Sequence, residues 1–200
     1  MEKIILKTPA SATAPAWYSQ RVLPPELHVD QALFASLWDV HPKELGKVKM
    51  FGKIINTPRY QENYGVPYWY TGILHPANPI PHPFMQQLMD WVCADSACEY
   101  EQMIVNWYRD GKDYIGAHSD STTGLVPDSA IYSFSFGQTR DFIVRPKTPS
   151  LTPTFTVKLT TNTVLVMGGS MQKYYTHEVP KQAHGLGRRI NVTFRLTKPE

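Results

Sequence analysis

From residue 102 onward the chain breaks into short runs of β-branched and aromatic residues divided by turn signals, at 102–108, 130–136, 141–145, 154–159, 163–167 and 190–196. Six such runs in under a hundred residues, with no helical period between them, predict a sandwich, jelly roll or barrel. Before residue 100 the period lengthens. Phe84, Leu88, Trp91 and Val92 recur at i, i+4, i+7 and i+8 after Pro83, which predicts a helix opening at that proline. A shorter helix is predicted after Pro24 and Pro25, with Leu27, Leu33, Phe34 and Leu37 as its apolar stripe and Pro42 beyond its end. Residues 8–16 read as a flexible lead-in. The expectation is a mainly β chain with its helices first, packed on the outside of an all-β core.

Composition narrows the class. The chain has 200 residues, 42% hydrophobic and 18% charged, which fits one ordinary domain and excludes a disordered chain. Two cysteines, Cys93 and Cys98, give no disulfide framework and point to a reducing intracellular compartment, cytoplasm or nucleus. No apolar run approaches the ~18 residues of a membrane span, and the opening Met1-Glu2-Lys3-Ile4-Ile5-Leu6-Lys7 is too short for a secretory signal. Charge is uneven. Residues 139–200 carry ten basic and three acidic side chains, whereas residues 1–138 carry ten and fourteen.

The chemistry begins with His118 and Asp120, whose spacing on an extended strand turns both side chains to one face. The last predicted strand carries more weight. Alternation puts Ile190, Val192, Phe194 and Leu196 on a core face, which leaves Arg189, Asn191, Thr193 and Arg195 together on the other. Two inward arginines without a counter-charge are costly, and a carboxylate ligand from outside the chain answers them. His177 lies twelve residues before Arg189. His118, Asp120 and His177 together form the two-histidine, one-carboxylate set of non-haem Fe(II) oxygenases. Asn106 and Tyr108, two apart on a predicted strand, can reach the same pocket.

The order His118-x-Asp120, His177, Arg189-x-Asn191-x-x-x-Arg195 resembles the AlkB family of Fe(II)/2-oxoglutarate dioxygenases. Further blocks are similar: residues 106–111, 115–120, 133–137 and 140–142, and upstream Pro58-Arg59-Tyr60-Gln61, Tyr64-Gly65 and Tyr70-Thr71-Gly72. The likeness runs over about residues 50–197. It implies a double-stranded β-helix (jelly roll) core for residues 50–200, with a nucleotide-recognition lid at about 55–75, and residues 1–49 as an extension whose helix packs on that core.

The resemblance also implies roles. His118, Asp120 and His177 would hold Fe(II). Arg189, helped by Asn106 and Tyr108, would hold the distal carboxylate of 2-oxoglutarate, with Arg195 and Asn191 nearer the metal. With O2 the enzyme would demethylate N-alkylated bases of DNA or RNA, releasing formaldehyde, succinate and CO2, as a monomer and without a membrane. Arg59, Tyr60, Tyr64, Tyr68, Tyr70, Ser119 and Ser121 would contact the substrate, and Arg59, Arg140, Arg145 and Lys147 are candidate phosphate contacts. One departure stands out. The repair members of the family follow this His-x-Asp motif with two acidic residues, and this chain has Ser121 and Thr122. That substitution leaves the iron chemistry untouched and keeps oxidation of a protein side chain open as the alternative; a catalytically silent jelly-roll binding module is a third reading, from another class.

Overall fold

The computed structural model describes residues 2–50, 52–70, 72–182 and 186–198, the side chains of Met50 and Tyr70 excepted. In chain order the first strands are β1 Ile4–Leu6, β2 Ala16–Val22, β3 Lys47–Met50, β4 Lys53–Asn56, β5 Tyr60–Gly65, β6 Tyr68–Tyr70 and β7 Ile73–His75. They are followed by β8 Gln102–Tyr108, β9 Ile115–His118, β10 Ile131–Gly137, β11 Arg140–Pro146, β12 Phe155–Leu159, β13 Thr163–Gly168, β14 Tyr175–Val179 and β15 Arg189–Arg195. The helices are α1 Gln31–Asp39, α2 Pro83–Ser96 and the single turn α3 Met171–Tyr174.

A seven-stranded sheet in the order β1-β2-β13-β10-β15-β8-β5 faces a four-stranded sheet in the order β12-β11-β14-β9. From β8 to β15 the chain crosses between the sheets at nearly every step, which winds the double-stranded β-helix of a jelly roll. Side-chain alternation decides what each face buries. Met103, Val105 and Trp107 of β8, Tyr132, Phe134 and Phe136 of β10, and Ile190, Val192 and Phe194 of β15 form one core with Leu37 of α1 and Phe84, Leu88 and Val92 of α2. Each such side chain contributes about 1.5–3 kcal/mol by leaving water. The Trp107 indole N–H also donates to the Leu37 carbonyl at 2.9 Å, tying α1 to β8. A second core lies between the sheets and includes Ile131, Phe142, Val144, Leu165, Met167 and Val179.

The opposite face of the same three strands is polar and buried. Gln102, Asn106, Ser133, Ser135, Arg189, Asn191, Thr193 and Arg195 all point into the barrel. Asn191 stands opposite Asn106, and Arg189 opposite Tyr108.

Three expectations change. Pro24 and Pro25 introduce only a 3₁₀ turn, and α1 opens later, where the Asp30 carboxylate accepts from the Leu33 N–H at 2.8 Å and caps it. Residues 1–49 are not a mere extension, because β2 pairs with β13 from Val22↔Thr163 to Trp17↔Gly168 and belongs to the larger sheet. The lead-in at 8–16 is anchored at its end, with the Ser170 hydroxyl donating to the Ala14 carbonyl at 2.5 Å and Ala16 fully buried. The expected lid at about 55–75 holds β5, a strand of the larger sheet paired with β8, and the hairpin β6–β7, and the hairpin β3–β4 precedes β5 in sequence.

Candidate metal and cosubstrate site

β9 and β14 are antiparallel neighbours, and His118 and His177 stand directly opposite each other in their register. The pairing shifts just past His177. Asp120 lies two residues beyond the end of β9, in the segment that continues from it. One ligand-type atom from each of the three residues falls within 4.8 Å of the others. His118 Nε2 is 3.6 Å and His177 Nε2 4.0 Å from Asp120 Oδ1.

The surroundings prepare these atoms for a cation. His118 Nδ1 lies 2.8 Å from the Gly116 carbonyl, which can only accept, so Nδ1 carries a proton and Nε2 is the nitrogen left for a metal. Phe142 stacks on the His177 ring with centroids 5.1 Å apart. Burial, helped by His118, Arg195 and Lys147 and opposed by Asp120, pushes His177 down to about 3, so its imidazole is neutral. Burial opposes ionisation of Asp120, but Arg195 together with the two histidines outweighs it and holds the carboxyl well below the usual range. Two imidazoles and one carboxylate are the donor set a divalent iron ion takes.

The Arg195 guanidinium reaches Asp120 Oδ2 through Nη2 at 3.1 Å and Nε at 3.3 Å. Arg195 thus has a counter-charge within the chain and also lines the cavity beside the histidines. Arg189 differs. It is buried, its Nη2 donates to Ser135 at 2.9 Å, and its Nε and Nη1 have no hydrogen-bond partner. Burial lowers it to about 10, against the Tyr108 interaction, so it remains a cation at neutral pH. Its guanidinium carbon stands 5.0 Å from the Tyr108 ring centroid. Two buried N–H groups without acceptors cost about 1–3 kcal/mol each, and a carboxylate relieves both at once. Beside the histidines lies a cavity of about 50 Å³, lined by Asn106, Tyr108, Ser133, Asn191, Thr193 and Arg195 as well as the three ligand residues, and Arg189 stands opposite Tyr108 at its wall. Asn191 is occupied within the protein, its amide donating to Ser133 Oγ and the Phe134 carbonyl, both at 2.8 Å. The residues present fit a divalent metal with a carboxylate-bearing cosubstrate.

The expected substrate residues divide. Tyr68 is buried beside the site, donating to the Ser121 carbonyl at 3.1 Å, with the Arg195 guanidinium 5.2 Å from its ring centroid. Ser119 donates to the Tyr175 carbonyl at 2.7 Å, and with Ser121 it lines an open groove of about 580 Å³ that reaches Asp120 and is edged by Lys147, Lys173 and Lys198. Tyr60 and Tyr64 sit on the other face of β5. Tyr64 is in the core under the helices and Tyr60 packs against that core, stacked on His41 at 4.1 Å, so neither faces the barrel. The side chain of Tyr70 lies outside the described residues.

Among the expected phosphate contacts, Arg59 and Arg140 are buried. Arg59 donates to Asn106, Gln61 and the Tyr114 carbonyl, and Arg140 to the carbonyls of Asp110, Asp113 and Pro180. Both are enclosed in the protein, at 3% and 1% exposure, and are out of reach of a phosphate backbone in this conformation. Arg145 is at the surface, paired with Glu178 at 2.5 Å, and Lys147 donates to the Gln172 carbonyl at 2.9 Å. The sequence reading missed Gln61, Asn63 and Gln102, which extend the polar inner face. Gln102 and Asn106 are four apart on one strand, and that parity was the available signal.

Comparison with known proteins agrees with this geometry. Residues 41–195 match the model of the 2OG-Fe(II) oxygenase superfamily. The chain is 35% identical over 164 residues to DNA oxidative demethylase ALKBH2 of Mus musculus, covering 78% of this chain and 68% of that protein. It is 33% identical over 151 residues to alpha-ketoglutarate-dependent dioxygenase alkB homolog 3 of Rattus norvegicus, covering 72% of this chain and about half (51%) of that one. The solved structure of OsALKBH1 superposes with a TM-score of 0.57 at 15% identity, covering 89% of this chain and 100% of that one, a likeness of fold. With the ligand triad inside a jelly roll and a matched region that spans both its histidines and its arginine strand, this chain belongs to the AlkB family of the 2OG-Fe(II) oxygenase superfamily.

Proposed function

We propose that this chain is an Fe(II)- and 2-oxoglutarate-dependent oxidative demethylase of N-alkylated bases in DNA or RNA. The observation that carries the oxygenase chemistry is the pairing of the His118, Asp120 and His177 donor set with the two unpartnered N–H groups of Arg189. The base as substrate is supported by the relatives, which are named as a DNA oxidative demethylase and an alkB homologue. Bound Fe(II), with 2-oxoglutarate and O2, supplies the oxidation of an N-methyl group to N-hydroxymethyl, and the cosubstrate leaves as succinate and CO2.

The chain's own residues supply placement. His118, Asp120 and His177 would hold the metal through one donor atom each. Arg189 grips the far carboxylate of the cosubstrate, with Asn106 and Tyr108 donating beside it. Arg195 keeps Asp120 ionised and turned toward the histidines, while Asn191 braces β15 against β10. Phe142, Met167 and Leu159 close the apolar side of the cavity and keep it dry. The hydroxymethylated base then releases formaldehyde without further help from the protein.

Finer points belong to the same proposal: a monomer in the cytoplasm or nucleus, where the free Cys93 and Cys98 stay reduced. Among the described residues no helix is long and apolar enough to cross a membrane.

The test is succinate and formaldehyde release over a panel of single- and double-stranded DNA and RNA oligonucleotides, each carrying one methylated base. At least one should raise both products together above the rate without oligonucleotide. If none does while the loaded protein still turns over 2-oxoglutarate, the base assignment fails. A peptide screen for +16 or −14 Da changes then tests a protein side chain in its place.

A further inference from the structure

We infer that Arg59 is a positioning residue for the cosubstrate, fixing which end of the Asn106 amide faces the cavity. The inference rests on the assignment of Asn106 to the 2-oxoglutarate carboxylate made above. A side-chain amide can present either its oxygen or its NH2 to a pocket, and only the NH2 can serve an anion. In isolation the two orientations of Asn106 are equivalent.

Arg59 removes that freedom. A guanidinium carries donors alone, and its Nε lies 2.7 Å from Asn106 Oδ1. The oxygen is thereby pinned toward Arg59, and the NH2 is turned to the other side of the amide, where Asn106 lines the cavity with Asn191 and Tyr108. Arg59 is itself held at every reach of its fork. Nη2 donates to Gln61 Oε1 at 2.7 Å and Nη1 to the Tyr114 carbonyl at 3.1 Å. Its backbone is fixed too, because the carbonyl accepts from the Thr57 hydroxyl at 2.9 Å and the Gly46 N–H at 3.1 Å. The residue is 3% exposed, so it is built into the wall and does not hang from the surface.

The electrostatics point the same way. Every acceptor around Arg59 is neutral, and among the described residues no carboxylate lies within ion-pair distance of it. A buried guanidinium met by amides and a carbonyl leaves a positive charge behind Asn106, which favours an anion on the amide's donor side. Lysine cannot take this place, since one ammonium does not span Asn106, Gln61 and Tyr114 in a plane.

The experiment is calorimetric titration of the Mn(II)-loaded protein with 2-oxoglutarate, which reads binding without turnover. Arg59→Lys should weaken 2-oxoglutarate about tenfold while Mn(II) affinity stays within about twofold. Asn106→Ala should weaken it to a similar degree, and the double variant should be no worse than Asn106→Ala alone. Asn106→Asp keeps the Arg59 contact and strengthens it into an ion pair, but it offers the cavity no donor. It should melt at or above the wild-type temperature and lose 2-oxoglutarate by about a hundredfold. Additive losses in the double variant, wild-type binding by Arg59→Lys, or a lower melting temperature for Asn106→Asp would each overturn the positioning role. Wild-type 2-oxoglutarate binding by Asn106→Ala would instead overturn the assignment of Asn106 on which the inference rests.

Discussion

Arg195 and Asp120 meet along one edge of the carboxylate: both guanidinium contacts, at 3.1 and 3.3 Å, fall on Oδ2, while Oδ1 is the oxygen nearer the two histidines. The arginine thus divides the carboxylate into a held oxygen and an offered one. It also supplies the positive charge that a metal would otherwise provide. Arg195→Met removes that charge and leaves a buried carboxylate beside two imidazoles, a loss of about 3–5 kcal/mol for an unpaired partner. The metal-free variant should melt on the order of 10 °C below wild type. Adding Mn(II) should raise its melting temperature by more than it raises that of the wild type, because the ion then replaces the missing charge. Scanning fluorimetry with and without Mn(II) reads both values. An equal metal shift in the two proteins would contradict this division of the carboxylate.

Arg189 and the metal triad should separate kinetically. His118→Ala or Asp120→Ala removes one donor of three and should abolish succinate release at any 2-oxoglutarate concentration. Arg189→Met removes a charge-assisted pair of hydrogen bonds to the cosubstrate, and should raise the 2-oxoglutarate KM by one to two orders of magnitude while activity returns toward wild type at saturation. Steady-state succinate assays over a wide 2-oxoglutarate range distinguish the two classes. Equal and complete loss in both, with folding intact, would count against these roles.

What could be read in advance followed parity and composition. β15 was legible because Ile190, Val192 and Phe194 alternate with Arg189, Asn191, Thr193 and Arg195, and a polar face with two arginines needs a buried reason. α2 was legible because its helical stripe opens at Pro83, although Met85 and Met89 widen the buried face beyond the residues expected. β14 was not, since Tyr175-Thr176-His177-Glu178-Val179 carries charge at two of five positions when His177 is read as ionisable. β1 and β2 were missed because their place depends on pairing with β13, far along the chain. The error over Tyr60 and Tyr64 has the same origin. Spacing locates a motif along the chain, but which face its side chains take is set by the register of β5 on β8, where Gln61 and Asn63 turn inward.

Gly65 ends β5 at a φ of +86°, and a Cβ there would lie 1.8 Å from the Glu101 carbonyl oxygen. Both the backbone conformation and the space therefore demand glycine. Gly65→Ala should destabilise the fold by about 2–4 kcal/mol, through strain plus displacement of the β8 start. Chemical denaturation measures it. A change below about 1 kcal/mol would show that this turn can relax without cost.

Tyr64, Tyr100 and Tyr132 should resist ionisation. Burial raises all three phenols above the ordinary range, with Glu62 adding to the effect at Tyr64, Cys98 and Cys93 at Tyr100, and the Asp95 hydrogen bond at Tyr132. The folded protein then binds more protons than the unfolded chain above about pH 10, so stability is full below that pH and falls as pH rises through the alkaline range. Absorbance titration at 295 nm should show these phenols ionising together with unfolding, not in the reversible phase near pH 10. Removing the Tyr64 hydroxyl as Tyr64→Phe should leave substrate turnover unchanged, as its core position requires. A selective turnover defect in that variant would return Tyr64 to the lid.

Among the described residues of the expected lid, Trp69 is the aromatic that faces solvent, 53% exposed on β6 across from Leu74, with Ile54 and Ile55 exposed on the β4 hairpin nearby in sequence. Apolar side chains of this size are stable in water only at a cost, and a nucleobase is a partner whose flat face they can cover. If the substrate is nucleic acid, Trp69→Ala should weaken binding of a methylated oligonucleotide by about fivefold or more, from ~1–3 kcal/mol of lost stacking. Binding of 2-oxoglutarate to the Mn(II)-loaded protein should not change, because Trp69 has no place in the barrel interior. Fluorescence anisotropy of a labelled oligonucleotide and calorimetry with 2-oxoglutarate give the two readings. An unchanged oligonucleotide affinity would remove the lid hairpin from the substrate surface and leave the groove beside Asp120, with Lys147, Lys173 and Lys198 at its edge, as the surface that must hold it.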